Sequence, residues 1–133
     1  MTDADDSIPE PRRPVLRPRL PRIRDIKIDW VAYAPPKLRY VEPLRPAEEA
    51  VLAIDLELDG PIRLDTDVTP ALFVGDEMLV ESVRLENQRV RFYAFEPQAD
   101  RLEPLAPIML GWPGVGPQKG GREAFSFERP DRR

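Results

Sequence analysis

Seventeen of the 133 residues are proline, and five of them (Pro9, Pro11, Pro14, Pro18 and Pro21) fall between positions 8 and 24. Each proline fixes its own φ, removes a backbone donor and drives the preceding residue toward extended geometry. The stretch IPEPRRPVLRPRLPRIR is therefore excluded from helix, and polyproline II at about 3.1 Å per residue would carry its 17 residues over roughly 50 Å. That is longer than a domain of the remaining size is wide. Residues 1–24 thus read as an extended arm and residues 25–129 as the folded body, with 130–133 as a short tail. The body is expected to fold without the arm.

Charge divides the chain at the same place. Six arginines (Arg12, Arg13, Arg17, Arg19, Arg22 and Arg24) outweigh four acids in residues 1–24 and leave a net −6 on the other 109 residues of a chain whose total is −4. An acidic body is a poor polyanion binder. The arm is better placed to bind, because arginine offers a planar fork of donors to carboxylates, phosphates and aromatic faces, and proline reduces the entropy lost on docking. In composition it resembles the proline-rich antimicrobial peptides, whose Arg-Pro repeats thread into the ribosome. Its Pro11-x-x-Pro14 and Pro18-x-x-Pro21 spacings also meet the minimal pattern of polyproline ligands.

From Ile26 onward the apolar residues recur every second position. Ile26, Ile28 and Trp30 alternate with Lys27 and Asp29. In EEAVLAIDLELDG, Leu52, Ile54, Leu56 and Leu58 point one way while Ala53, Asp55, Glu57 and Asp59 point the other. Further short runs lie at 38–41, 72–74, 78–85, 90–95, 107–110 and 124–127. They are separated by turn signals such as Asp59-Gly60 and Gly75-Asp76, with Glu86-Asn87-Gln88 set as a hairpin connection. About eight strands spaced near ten residues, with no helical period longer than the weak stretch PAEEAV at 46–51, predict an all-β fold: a small antiparallel β-sandwich of immunoglobulin-like type behind its Pro/Arg arm. The segment TPALFVGDEMLVESVRLENQRVRFYAFEP resembles the IPT/TIG type of immunoglobulin-like module over part of the chain, without that family's opening glycine-phenylalanine signature.

Residue types limit the chemistry. With no His and no Cys, there is no Ser-His-Asp or Cys-His machinery, no metal site with nitrogen or thiolate ligands, no haem and no disulfide framework. No apolar run follows Met1, so neither a signal peptide nor a membrane anchor is expected, and a soluble cytoplasmic setting is.

Three weaker motifs also give way to structural readings. Asp55-x-Glu57-x-Asp59-Gly60 imitates the start of a calcium loop, but Thr66 stands where a bidentate Glu belongs and the flanks alternate as strands. A glycosidase pair on that face would need one carboxyl desolvated. The loop GWPGVGPQKGGR lacks the Ser or Thr of a phosphate cradle, and Pro113 and Pro117 remove two donors, so a long mobile loop is the expectation.

The aromatics Phe92, Tyr93, Phe95, Phe125 and Phe127 are expected to fill the core. Tyr93 and Phe95 fall on the face of Arg91 and, with Trp112, are candidates for a partner interface. No catalytic residue, metal or cofactor is expected. The function expected is a non-enzymatic structural or adaptor subunit of a larger assembly. Its contacts would be Arg12, Arg13, Arg17, Arg19, Arg22 and Arg24 with Tyr93, Phe95 and Trp112, set against an acidic protein surface. Nucleic-acid or ribosome binding through the arm is the second expectation.

Overall fold

The computed structural model describes residues 19–33, 48–64, 68–118 and 125–131. The strand run read at 38–41 lies outside them, as does Thr66. The described residues form nine strands and one turn of helix, in the order β1 (Ile23–Tyr33), β2 (Glu48–Leu58), β3 (Ala71–Val74), β4 (Glu77–Leu79), β5 (Ser82–Glu86), β6 (Arg89–Ala94), α1 (Gln98–Arg101), β7 (Pro107–Trp112), β8 (Gly116–Pro117) and β9 (Phe125–Ser126). The fold is all-β and built of two antiparallel sheets. The first runs β1-β2-β6-β5, and the second runs β4-β3-β7-β8 with β9 also paired to β7.

Alternation sets the inner faces. In the first sheet Ile28, Ile54 and Phe92 lie in one register row, and Trp30, Leu52 and Ala94 in the next. The second sheet contributes Leu72, Val74, Leu79, Ile108 and Leu110. All join one core, completed by Leu58, Ile62, Leu102 and Phe127, with Ile28 and Trp30 packed against it at its margin. Phe92 and Phe127 are the largest side chains it encloses completely. Burial of each such side chain contributes about 1.5–3 kcal/mol, which is what holds the sheets face to face.

Four particulars depart from the sequence reading. The run read as one strand from Met78 to Leu85 is two, because the chain crosses from the second sheet to the first between Leu79 and Ser82. From Glu48 the weakly helical stretch belongs to β2 instead, since Val51 and Leu52 bury on opposite faces of the first sheet. The segment after Leu110, read as one long loop, holds a hairpin: β7 continues to Trp112 and turns back as β8, pairing Gly111 with Pro117. A side chain at Gly111 would lie 2.2 Å from the Gly116 carbonyl oxygen, so only glycine admits this close return.

The fourth departure is the boundary of the body. Ile23 already pairs with Leu58, and Leu20 sits in the core at 6 % exposure. The residues from Arg19 on therefore belong to the body and not to the arm. Pro130 belongs to it as well, because its carbonyl oxygen accepts the Trp30 Nε1–H at 3.1 Å.

Candidate functional site

The segment leading into β1, Arg19–Arg22, is fastened by side chains that substitute for a strand partner. The carboxamide of Gln118 accepts the Leu20 N–H through Oε1 at 2.7 Å and donates through Nε2 to the Leu20 carbonyl at 3.0 Å. Gln118 is itself fixed, its N–H donating to the Leu110 carbonyl at 2.7 Å. Two residues on, the Arg22 N–H donates to Asp59 Oδ1 at 2.8 Å, and the Asp59 N–H returns a bond to the Arg22 carbonyl at 3.0 Å. The loop carrying Asp59 is held by Arg84, whose Nη2 reaches the Ile62 carbonyl at 2.6 Å. Paired backbone groups and a buried leucine fix this segment to the domain. The side chains of Arg19, Arg22 and Arg24 are exposed at this root. Arg12, Arg13 and Arg17 lie outside the described residues.

The aromatic candidates sit elsewhere and do not present free rings. On the outer face of the first sheet, Tyr93 and Phe95 pack with Tyr33, Val51 and Ala53 into a second apolar cluster. Tyr33 meets Tyr93 at 5.0 Å and Phe95 at 4.9 Å between centroids, both nearly perpendicular, the arrangement that sets a positive ring edge on a negative face. The Tyr33 hydroxyl donates to the Glu81 carboxylate. Tyr93 and Phe95, named above as partner contacts, are 8 % and 6 % exposed and packed within the chain. Trp112 faces inward, half-buried against the main core. The exposed Arg22 and Arg24 lie near the end of β1 where Ile23 pairs with Leu58, and Tyr93 and Phe95 pack on Tyr33 at its other end.

Two of the three carboxylates read as a calcium or catalytic motif, Asp55 and Asp59, are occupied structurally. Asp55 accepts two parallel hydrogen bonds from Arg91, at 2.7 Å from Nε and 3.0 Å from Nη2. Those bonds are the main cause raising the Arg91 pKa above its ordinary value. Asp59 is used on Arg22, and both acids stand on or beside strand β2 rather than between helices. Among the described residues no group of three or more His, Cys, Asp or Glu side chains gathers to hold a metal. The Glu77 carboxyl is held below its ordinary pKa chiefly by hydrogen bonding from Arg101, against a smaller opposing effect of burial. That is the state of an ion pair rather than of a general acid.

The backbone of the glycine-rich segment is used too. Within it, Val115 N–H donates to the Trp112 carbonyl and Gln118 N–H to that of Leu110. Among the described residues no helix is long and apolar enough to cross a membrane. Compared with protein-family models, with curated proteins and with solved structures, the chain matches none.

Sequence reasoning missed Gln118 and Leu20. Leu20 stands among arginines and prolines, and Gln118 in a loop whose composition signals only turns. Neither carries a period that marks it as paired.

Proposed function

We propose that the protein is a non-enzymatic structural or adaptor subunit: an immunoglobulin-like β-sandwich that holds out a Pro/Arg arm to dock on an acidic protein surface. The strand orders support the fold reading. With β4 set aside as an extra strand, β8 and β9 taken together as one, and the strands then lettered in chain order, β1-β2-β6-β5 reads A-B-E-D, and β3-β7 followed by β8 and β9 reads C-F-G. Those are the two sheets of the constant-type immunoglobulin arrangement, with β4 added beside strand C. The family's usual disulfide between strands B and F has no counterpart, since the chain contains no cysteine, and Leu52, Ile54 and Ile108 take that part of the core.

The observation that carries the functional reading is the fastening of the arm's root. A solubilising tail needs no such anchor. Here the carboxamide of Gln118, the carboxylate of Asp59 and a core position for Leu20 together fix the point and direction of departure. A rigid root reduces the conformational freedom that the six-arginine segment loses on binding.

The test replaces Arg12, Arg13, Arg17, Arg19, Arg22 and Arg24 by Gln and, separately, Pro9, Pro11, Pro14 and Pro18 by Ala. Capture of partners by each protein is then measured at two salt concentrations. A shaped protein clamp loses binding with either set, because charge-assisted hydrogen bonds of about 1.5–3 kcal/mol each and preorganisation both contribute. Nucleic-acid binding instead tolerates the loss of proline and weakens steeply with salt. Undiminished capture by the six-Gln protein overturns the assignment to the arm.

A further inference from the structure

The two sheets end in edges of unequal kind. In the second sheet β4 is three residues long, and the Gln98 carboxamide donates to its Met78 carbonyl at 2.8 Å. Strand β8 is two residues long. In the first sheet β5 has five residues, and its ladder shifts register between Arg84 and Glu86. Strand β1 differs from all of these: it is 11 residues long and, among the described residues, pairs only with β2. Short, bulged or covered edges resist pairing with another chain, and a long open one invites it.

The alternation of the ladder fixes which backbone groups that edge presents. The Tyr93 N–H donates to the Glu81 carbonyl on the β5 side, so the even residues of β6 turn toward β2, and their partners, the even residues of β2, turn toward β6. The odd residues of β2 are left for β1, where they stand opposite Asp25, Lys27, Asp29 and Val31. Ile26, Ile28 and Trp30 therefore direct N–H and carbonyl away from the sheet, while their side chains pack at the margin of the core. Two of those donors are closed by the preceding carboxylate: Asp25 Oδ1 accepts from the Ile26 N–H at 2.9 Å, and Asp29 Oδ1 from the Trp30 N–H at 2.8 Å. Between them Ile28 follows Lys27, whose ammonium has no acceptor to offer.

This edge is complementary to itself. The regular part of β1 runs from Asp25 to Val31, with a register shift beyond either end, and Ile28 is its midpoint. We infer that two copies of the chain pair antiparallel through β1, about a two-fold axis at Ile28. That register sets Ile28 against Ile28 and, twice each, Ile26 against Trp30 and Lys27 against Asp29. Opposite charges directly across a ladder are favourable and like charges are not. An axis at Lys27 would set that lysine against itself and Asp25 against Asp29, and an axis at Asp29 would set that acid against itself. An axis at Ile26 or Trp30 would shorten the regular ladder to 25–27 or 29–31. Seven residues at about 3.4 Å, across a sheet about 10 Å thick, give roughly 240 Å² of contact, against the roughly 800 Å² per partner of a stable interface. The dimer is therefore weak and concentration-dependent, and Asp25 and Asp29 serve the edge donors of the monomer. The inference goes beyond the adaptor reading and uses none of the arm's arginines.

Sedimentation equilibrium of the full chain, from micromolar to millimolar concentration, tests it. Lys27 and Asp29 are exposed, so changing their charge leaves the fold intact. Lys27→Asp and Asp29→Lys each set like charges together at both pairs and should weaken the dimer about tenfold. Combined in one chain they restore opposite charges, and association should return to the wild-type level. The combined variant still lacks the Asp29 carboxylate, so its recovery reports the charge pairing itself. Ile28→Pro removes the central outward N–H without touching the β1–β2 ladder and should leave a folded monomer by circular dichroism. A wild-type chain that stays monomeric at millimolar concentration overturns the inference. So does a dimer undiminished by Ile28→Pro, or a combined charge variant that associates no better than the single ones.

Discussion

Replacing Gln118 by Ala removes both bonds to Leu20 at once and leaves a partly buried N–H and carbonyl without their partner. At roughly 1 kcal/mol for each net hydrogen bond, the expected loss is about 2 kcal/mol, or about 8 °C in Tm for a domain of this size. Leu20→Ala, which empties a core position, costs about 3 kcal/mol. The two changes act on one fastening, so the double variant should lose about 4 kcal/mol, less than the two singles added together.

Gln118→Glu sharpens the test. It keeps an acceptor for the Leu20 N–H but sets a carboxylate against the carbonyl that the wild-type Nε2 serves at 3.0 Å. Its deficit should exceed that of Ala near pH 7 and narrow below about pH 4, where a protonated carboxyl regains a donor. Urea unfolding followed by tryptophan fluorescence reads these effects, because Trp30 and Trp112 both pack against the core. A Gln118→Ala cost under about 0.5 kcal/mol, or strict additivity with Leu20→Ala, would refute the view that the carboxamide holds the arm's root.

Arg91→Met should destabilise by about 2 kcal/mol by leaving Asp55, 14 % exposed at its side chain, without its partner. Asp55→Asn in the same background should recover part of that, and equal stabilities of the single and double variants in chemical denaturation would contradict the pairing. Glu77, whose folded pKa is lowered by Arg101, contributes stability that is present above the ordinary carboxyl range and lost as pH falls through the lowered value. The stability gap between wild type and Glu77→Gln should therefore close between about pH 5 and pH 3, and a gap independent of pH would exclude the ion pair as its source.

Strands whose apolar residues recur every second position were legible because burial on one face writes itself into that period. Leu52, Ile54, Leu56 and Leu58 point into the core as the alternation requires, and Asp55 and Glu57 point away. The break inside residues 78–85 was not legible: Leu79 and Leu85 are both apolar, and nothing in their spacing tells that the chain changes sheet between them. The same limit hid the continuation of β7 into β8. Its glycines and prolines signal a turn wherever they occur, and only the close approach of Gly111 to Gly116 in space shows a hairpin.

For the site the division follows from how each residue works. Arginines act through charge, which composition exposes, and Arg19, Arg22 and Arg24 are indeed at the surface. Tyr93 and Phe95 satisfy a pattern that two outcomes share, an outward aromatic pair met by a partner or one covered within the chain. The edge of the Tyr33 ring meets both of theirs, and Tyr33 lies 60 residues from Tyr93 in sequence, beyond any local signal. Leu20 and Gln118 are further apart still, 98 positions along the chain from one another. Each is unremarkable in its own segment, since a lone leucine among prolines and a lone glutamine after a turn have no period to break. Their meaning arises only when strand order brings β8 beside the point where the arm enters β1, so the arm's charge could be read from sequence while its anchorage could not.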